Sequence, residues 1–142
     1  MTPLVLGLAL VAGAPNLKDP PPKGPPVVGR WECTALTING RADPQWRGLE
    51  YGFTSDGGWV IYRDGTDIDG ISRTYEADAK AMPAAIDMRE RADGVAQPSI
   101  YRVERDTLTL SMRTERGGAR PTDFQPGAGL MTFTFRRVRA KD

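Results

Sequence analysis

The side chains in this 142-residue chain that could carry chemistry are few: one cysteine, a run of acidic residues near Asp67, four tyrosines and a scatter of arginines, with no histidine at all. Lacking histidine, the chain can assemble neither a Ser-His-Asp nor a Cys-His catalytic arrangement, and the common His-containing zinc sites are excluded too. Cys33 has no partner for an intrachain disulfide. On a regular first strand it shares the apolar face with Trp31 and Ala35, which predicts a buried, inert thiol and not a nucleophile. Acid–base catalysis by carboxylates needs two acidic groups with separated pKa values in one pocket, and here the acids fall mostly in turns or on polar strand faces. No enzyme activity and no catalytic residue are expected.

Asp64-Gly65-Thr66-Asp67-Ile68-Asp69-Gly70, with Glu76 beyond, has part of the spacing of a calcium loop: Asp67, Asp69, Gly70 and Glu76 match. The first ligand position falls on Gly65, which offers no side-chain oxygen, and strand-like rather than helical segments flank the loop. A polar connection is the better reading, so neither a metal nor another cofactor is expected.

The elements that must position these residues are almost wholly β. Apolar residues alternate over short spans separated by Gly, Asp and Pro, and no stretch sustains a helical period. The candidate strands are 30–38, 49–54, 59–63, 71–77, 85–89, 99–104, 107–113 and 131–138. Asn39-Gly40, Asp56-Gly57-Gly58, Asp64-Gly65 and Asp93-Gly94 supply residues that tolerate positive φ, as tight reversals require. About eight strands at this spacing predict one antiparallel meander closed into a barrel. Asp43 to Gly48 reads as a helical turn that closes one end, with Trp46 as its plug.

Period-two parity sorts the faces. Tyr51 with Phe53, Ile86 with Met88, Tyr101 with Val103, Leu108 with Leu110 and Met112, and Phe133 with Phe135 point inward. Thr34, Asp87, Arg102, Thr109, Ser111, Thr132 and Thr134 form the polar outer surface. Residues 59–63 offer two apolar faces, as expected where an outer face is covered or meets a partner.

Gly29-Arg30-Trp31, Pro83-Ala-Ala-Ile86-Asp87, Ile100-Tyr101-Arg-Val-Glu-Arg-Asp106-Thr107-Leu108 and Arg120-Pro121-Thr122-Asp123-Phe124 together resemble a planctomycete-type family of small secreted lipocalin-like proteins with no established activity. The resemblance spans nearly all of the chain after the linker. It implies a secreted lipocalin-like fold and carries over no catalytic residue. Arg105 departs from the glycine usual in that turn, and Gly70 to Tyr75 is longer than usual. Gly29-Arg30-Trp31 is also similar to the opening motif of lipocalins proper, in which an arginine of the last strand packs across the tryptophan and closes the barrel base. By parity Arg137 is the residue for that role.

Formal charge is +1, with both signs scattered, which gives no footprint for nucleic acid. Leu4 to Val11 followed by Ala12-Gly13-Ala14 reads as an export signal over 1–14, too short to serve as a transmembrane segment. Residues 15–26, with Pro20-Pro21-Pro22 and Pro25-Pro26, read as an extended linker. The barrel domain then takes 27–142, with a periplasmic or secreted location expected.

Arg73 is the charged residue that parity places inside, with Ile71, Tyr75 and Ala77. It must meet a carboxylate, sit at the barrel mouth or bind an anionic headgroup, because an unpaired buried arginine is expensive. Arg120 reads as a loop clamp on backbone carbonyls, with Phe124 filling an edge of the core. The function expected is binding of a small apolar or amphipathic ligand among Arg73, Tyr75, Tyr101, Met112 and Phe133, flat tyrosine walls and a flexible thioether being suited to such contact. The alternative is a structural or protein-interaction module of the cell envelope, with a filled barrel and no ligand. A capacious lumen separates the first from the second.

Overall fold

The computed structural model describes residues 25–91 and 94–139. The predicted export signal, the linker up to Gly24 and the chain end from Ala140 lie outside them, as does Asp93 of one predicted turn. Alternating apolar residues form ten strands: β1 (Gly29–Ile38), β2 (Arg41–Ala42), β3 (Glu50–Phe53), β4 (Gly58–Arg63), β5 (Thr66–Asp67), β6 (Arg73–Asp78), β7 (Ala85–Arg89), β8 (Gln97–Glu104), β9 (Thr107–Arg113) and β10 (Leu130–Arg137). One short 3-10 turn, Pro44–Trp46, starts where the Asp43 carboxylate accepts from the Gln45 amide. The reversals use positive φ at Asn39 and Asp64, each followed by glycine, and at Arg105, where a side chain bears the left-handed conformation.

Eight of these strands close into an antiparallel barrel in the order β1, β3, β4, β6, β7, β8, β9, β10 and back to β1. The antiparallel barrel predicted from the alternation is therefore present, and it matches a lipocalin-like barrel in architecture. β2 folds back on β1 and β5 on β4, outside the ring. Closure consumes both edges of the sheet, the condition under which a barrel has no template for further strand addition. The closing pair runs from Arg137 opposite Trp31 to Met131 opposite Ile38, with a bulge between Thr134 and Phe135.

That bulge corrects one parity assignment. Phe135 faces Cys33 but Thr134 faces Ala35, so the inward face of β1 passes from Trp31 and Cys33 to Leu36, and Ala35 is exposed. Ile71, expected inside on the fourth span, precedes β6 and is half-buried. Ser111 and Thr132, expected on a wet outer surface, are buried together with Ile100.

The physical reason is the β9–β10 connection, residues 114–129, which is strapped across the outer face of the barrel. Arg120 fastens it: its guanidinium donates to the Ser99 carbonyl at 2.8 Å, the Ile86 carbonyl at 3.5 Å and the Asp87 carboxylate at 2.7 Å. Pro121 is buried beside it. Phe124 does not fill the core; it lies half-buried on the outer face with the Arg102 guanidinium 4.6 Å from its ring centre. The second apolar face of β4 is covered by the chain itself, Arg30 lying 3.8 Å over the Tyr62 ring while its Nε binds Glu50.

The base of the barrel is sealed around Trp31, which is fully buried and donates its indole N–H to the Val27 carbonyl at 2.8 Å. Arg137 stacks 4.2 Å over the indole and reaches towards Asp106. Gly29 makes room for it: a Cβ there, at φ +136°, would lie 2.9 Å from the guanidinium. Truncating this plug leaves a large void, so Trp31→Ala should cost about 3–5 kcal/mol in chemical denaturation, against less than about 0.5 kcal/mol for the exposed Arg63→Ala. Similar losses for the two variants would show that the base does not depend on the indole.

Candidate functional site

The interior is filled from the base upward by aromatic rings. Tyr51 is central, with ring centres of Phe135, Trp59, Phe133 and Phe53 at 4.9, 5.3, 5.8 and 6.4 Å. At the other end, where β7 and β9 finish and β8 and β10 begin, the filling stops short of the rim and leaves a half-open cavity of about 280 Å³.

Its wall is mostly apolar: Trp46, Tyr51, Trp59 and Phe133 provide rings, and Met88, Met112 and Met131 provide three thioethers. Trp46 arrives from the 3-10 turn and meets Phe133 edge-on at 6.1 Å. It roofs part of the mouth without sealing it. The Tyr51 side chain is nearly fully buried, and its hydroxyl finds no hydrogen-bond partner among the described residues; burial pushes its pKa well up, so it remains a proton donor.

The rim is polar, with Glu90, Gln97, Arg113 and Arg116 in the wall. Gln97 holds the rim in place. Its amide nitrogen donates to the Arg113 carbonyl at 3.2 Å and the Glu115 carbonyl at 3.3 Å, and its amide oxygen accepts from the Gly117 N–H at 3.1 Å. Gly117 is required there, since at φ +71° a Cβ would come within 2.8 Å of Val95.

Of the ligand residues predicted from the sequence, Met112 and Phe133 line this cavity. Tyr75 does not: its hydroxyl donates to the Thr54 carbonyl at 2.5 Å, below the aromatic layer. Tyr101 lies near the base, its hydroxyl buried without a hydrogen-bond partner among the described residues, beside an open groove of about 550 Å³ lined by Pro26, Pro83, Met82 and Phe124. The two tyrosines belong to the sealed end because their strands run tilted around the barrel.

Arg73 is outside the cavity wall, behind Trp59, whose ring centre lies 5.2 Å from its guanidinium. Two of its nitrogens bind the Asp69 carboxylate at 3.0 and 2.5 Å, which holds Asp69 below the ordinary carboxylate pKa. Of the three fates open to Arg73, a carboxylate partner is the one observed. This ion pair closes a seam, because β4 and β6 pair only through Gly58–Thr74 and Trp59–Arg73 before β4 turns to β5. The acidic run is likewise used locally: the Asp67 carboxylate accepts from the amides of Asp69 and Gly70.

Trp46, Trp59, Met131, Arg113 and Arg116 were not assigned to a ligand site from the sequence. The available signal was position along the strand. Inward residues nearest the end of β9 and the start of β10 must share one rim in an antiparallel barrel. The chain matches no protein-family model, no curated protein and no solved structure.

Two outcomes follow from these environments. Asp69, depressed in the folded state, adds stability above its unfolded pKa and loses it as pH falls through the folded value. Asp69→Asn should therefore lower the melting temperature at neutral pH, with the gap to the parent protein closing in acid; a gap unchanged down to about pH 2 would separate Asp69 from the stability of the seam. Cys33 is buried, and desolvation pushes its thiol up to about 11. At about pH 8 the native protein should resist a maleimide that labels the unfolded chain stoichiometrically.

Proposed function

We propose that the barrel binds a small apolar or amphipathic molecule in the cavity at its mouth. One observation carries this reading: among the described residues a buried core cluster packs the interior away from one end, and the space left there is walled by four aromatic rings and three methionines under a polar, half-open rim. Such a site combines flat contact area with thioether side chains that adapt to a guest's shape. Among the described residues the cavity wall holds a single carboxylate, Glu90, which suits a binder better than an acid–base catalyst. The resemblance to secreted lipocalin-like proteins agrees with this reading, and the export signal in the sequence would deliver the domain to the periplasm or beyond.

Tryptophan fluorescence gives a direct test, since two of the three tryptophans, Trp46 and Trp59, line the cavity and Trp31 does not. A panel of small aromatic and short-chain amphiphiles should include compounds that change the emission saturably and raise the melting temperature. Trp46→Ala should weaken that binding several-fold while the barrel stays folded. Absence of saturable binding across the panel would remove the ligand reading.

A second reading rests on the groove at the base, where Met82 is 95% exposed and the buried Tyr101 hydroxyl lacks a hydrogen-bond partner among the described residues. These features favour a protein-interaction module whose contact surface is the closed end of the barrel, away from β4.

A further inference from the structure

We infer that the molecule taken up at the mouth is a compact aromatic anion, its ring among the cavity aromatics and its carboxylate against Arg113 and Arg116. This deepens the ligand-binding reading and depends on it. Size comes first: a dry apolar cavity of about 150 Å³ holds one benzene, so the 280 Å³ here corresponds to roughly two fused rings and is too small for a long-chain fatty acid. Shape comes second, because Trp46, Trp59 and Phe133 present flat faces or edges that stack against a planar guest better than against a flexible chain.

Charge decides the rest. Arg73, the arginine that parity placed inside, is already neutralised by Asp69 and stands behind Trp59. In the wall itself two arginines face one glutamate, and neither Arg113 nor Arg116 forms an ion pair among the described residues. Arg113 is steadied by its Nε on the Ala119 carbonyl at 3.4 Å, and both sit on the turn that Gln97 pins to the rim. Glu90 follows β7, separated from Arg113 by β8, and its field is felt by Arg73 and Tyr51. One guanidinium steadied by a single bond and a second, exposed one beside it in the wall, both with donors to spare, match a carboxylate, which accepts charge-assisted and bidentate hydrogen bonds from arginine. Below them the nearly buried Tyr51 hydroxyl, kept protonated and without a protein partner, adds a donor for a polar atom on the ring.

The test uses isosteric probes that differ only in charge: 2-naphthoate, neutral 2-naphthamide and cationic 2-naphthylmethylammonium, with palmitate as a size control, titrated by calorimetry and tryptophan fluorescence at low salt. Naphthoate should bind at least about tenfold more tightly than the amide, as expected for charge-assisted hydrogen bonds, and palmitate should not bind saturably. Arg113→Gln and the exposed Arg116→Gln should each reduce the preference for naphthoate and leave naphthamide affinity unchanged; circular dichroism verifies the fold of each variant. Equal affinity for naphthoate and naphthamide, or a preference for the cation, would overturn the anion assignment while leaving the binding site intact. No binding by any naphthyl probe would overturn both this inference and the ligand-binding reading beneath it.

Discussion

Pairing of the last strand with the first is the constraint on which the rest of this molecule depends. Until Arg137 lies opposite Trp31, the sheet has two open edges and its apolar residues have no inside to occupy. Closure creates the interior and fixes its width at what eight strands can enclose, a space that side chains nearly fill. The bulge at Thr134–Phe135 adjusts the closing register so that Cys33 and Leu36 both point inward, and the Trp31–Arg137 stack then plugs the base. A cavity survives only at the end remote from that plug.

Arginine placement is the second organising theme. Arg30, Arg73, Arg102 and Arg137 each lie over an aromatic ring, and three of these rings, those of Tyr62, Trp59 and Trp31, are on the first half of the barrel wall. A guanidinium is weakly hydrated and planar, so it covers a ring face while its edges still reach carboxylates or carbonyls. Arg120 does the same work without a ring, holding the long β9–β10 strap against β7 and β8. Arg113 and Arg116 are the arginines of the cavity wall, and neither carboxylate nor ring engages them among the described residues.

Much of the barrel was legible in the linear chain. The eight main spans agree with the observed strands within about two residues at either end, because period-two alternation and positive-φ turn residues are local signals that tertiary context only sharpens. Arg137 over Trp31 followed from parity on one strand and a motif on the other. Ala35, Ser111 and Phe124 were misplaced for non-local reasons. A bulge is created by the partner strand's register, and a strap that covers an outer face cannot be seen in the strand it covers.

The candidate site shows the same division. Its chemistry was set by composition: with no histidine and a single cysteine, now deep in the wall, the aromatic, methionine and arginine side chains were the groups left to recognise a ligand. Parity put Tyr51, Met88, Met112 and Phe133 inside, but parity has no coordinate along the barrel axis. Only the tilt and register of the closed sheet sent Tyr75 and Tyr101 to the sealed base, brought Trp46 over the mouth and gave Arg73 to Asp69. The sequence by itself determined which residues face inward along each regular strand, since alternation is a local property that only a bulge such as that in β1 interrupts. The tertiary structure decided which of them meet, and where space remains, since both depend on how far each strand is shifted against its neighbours.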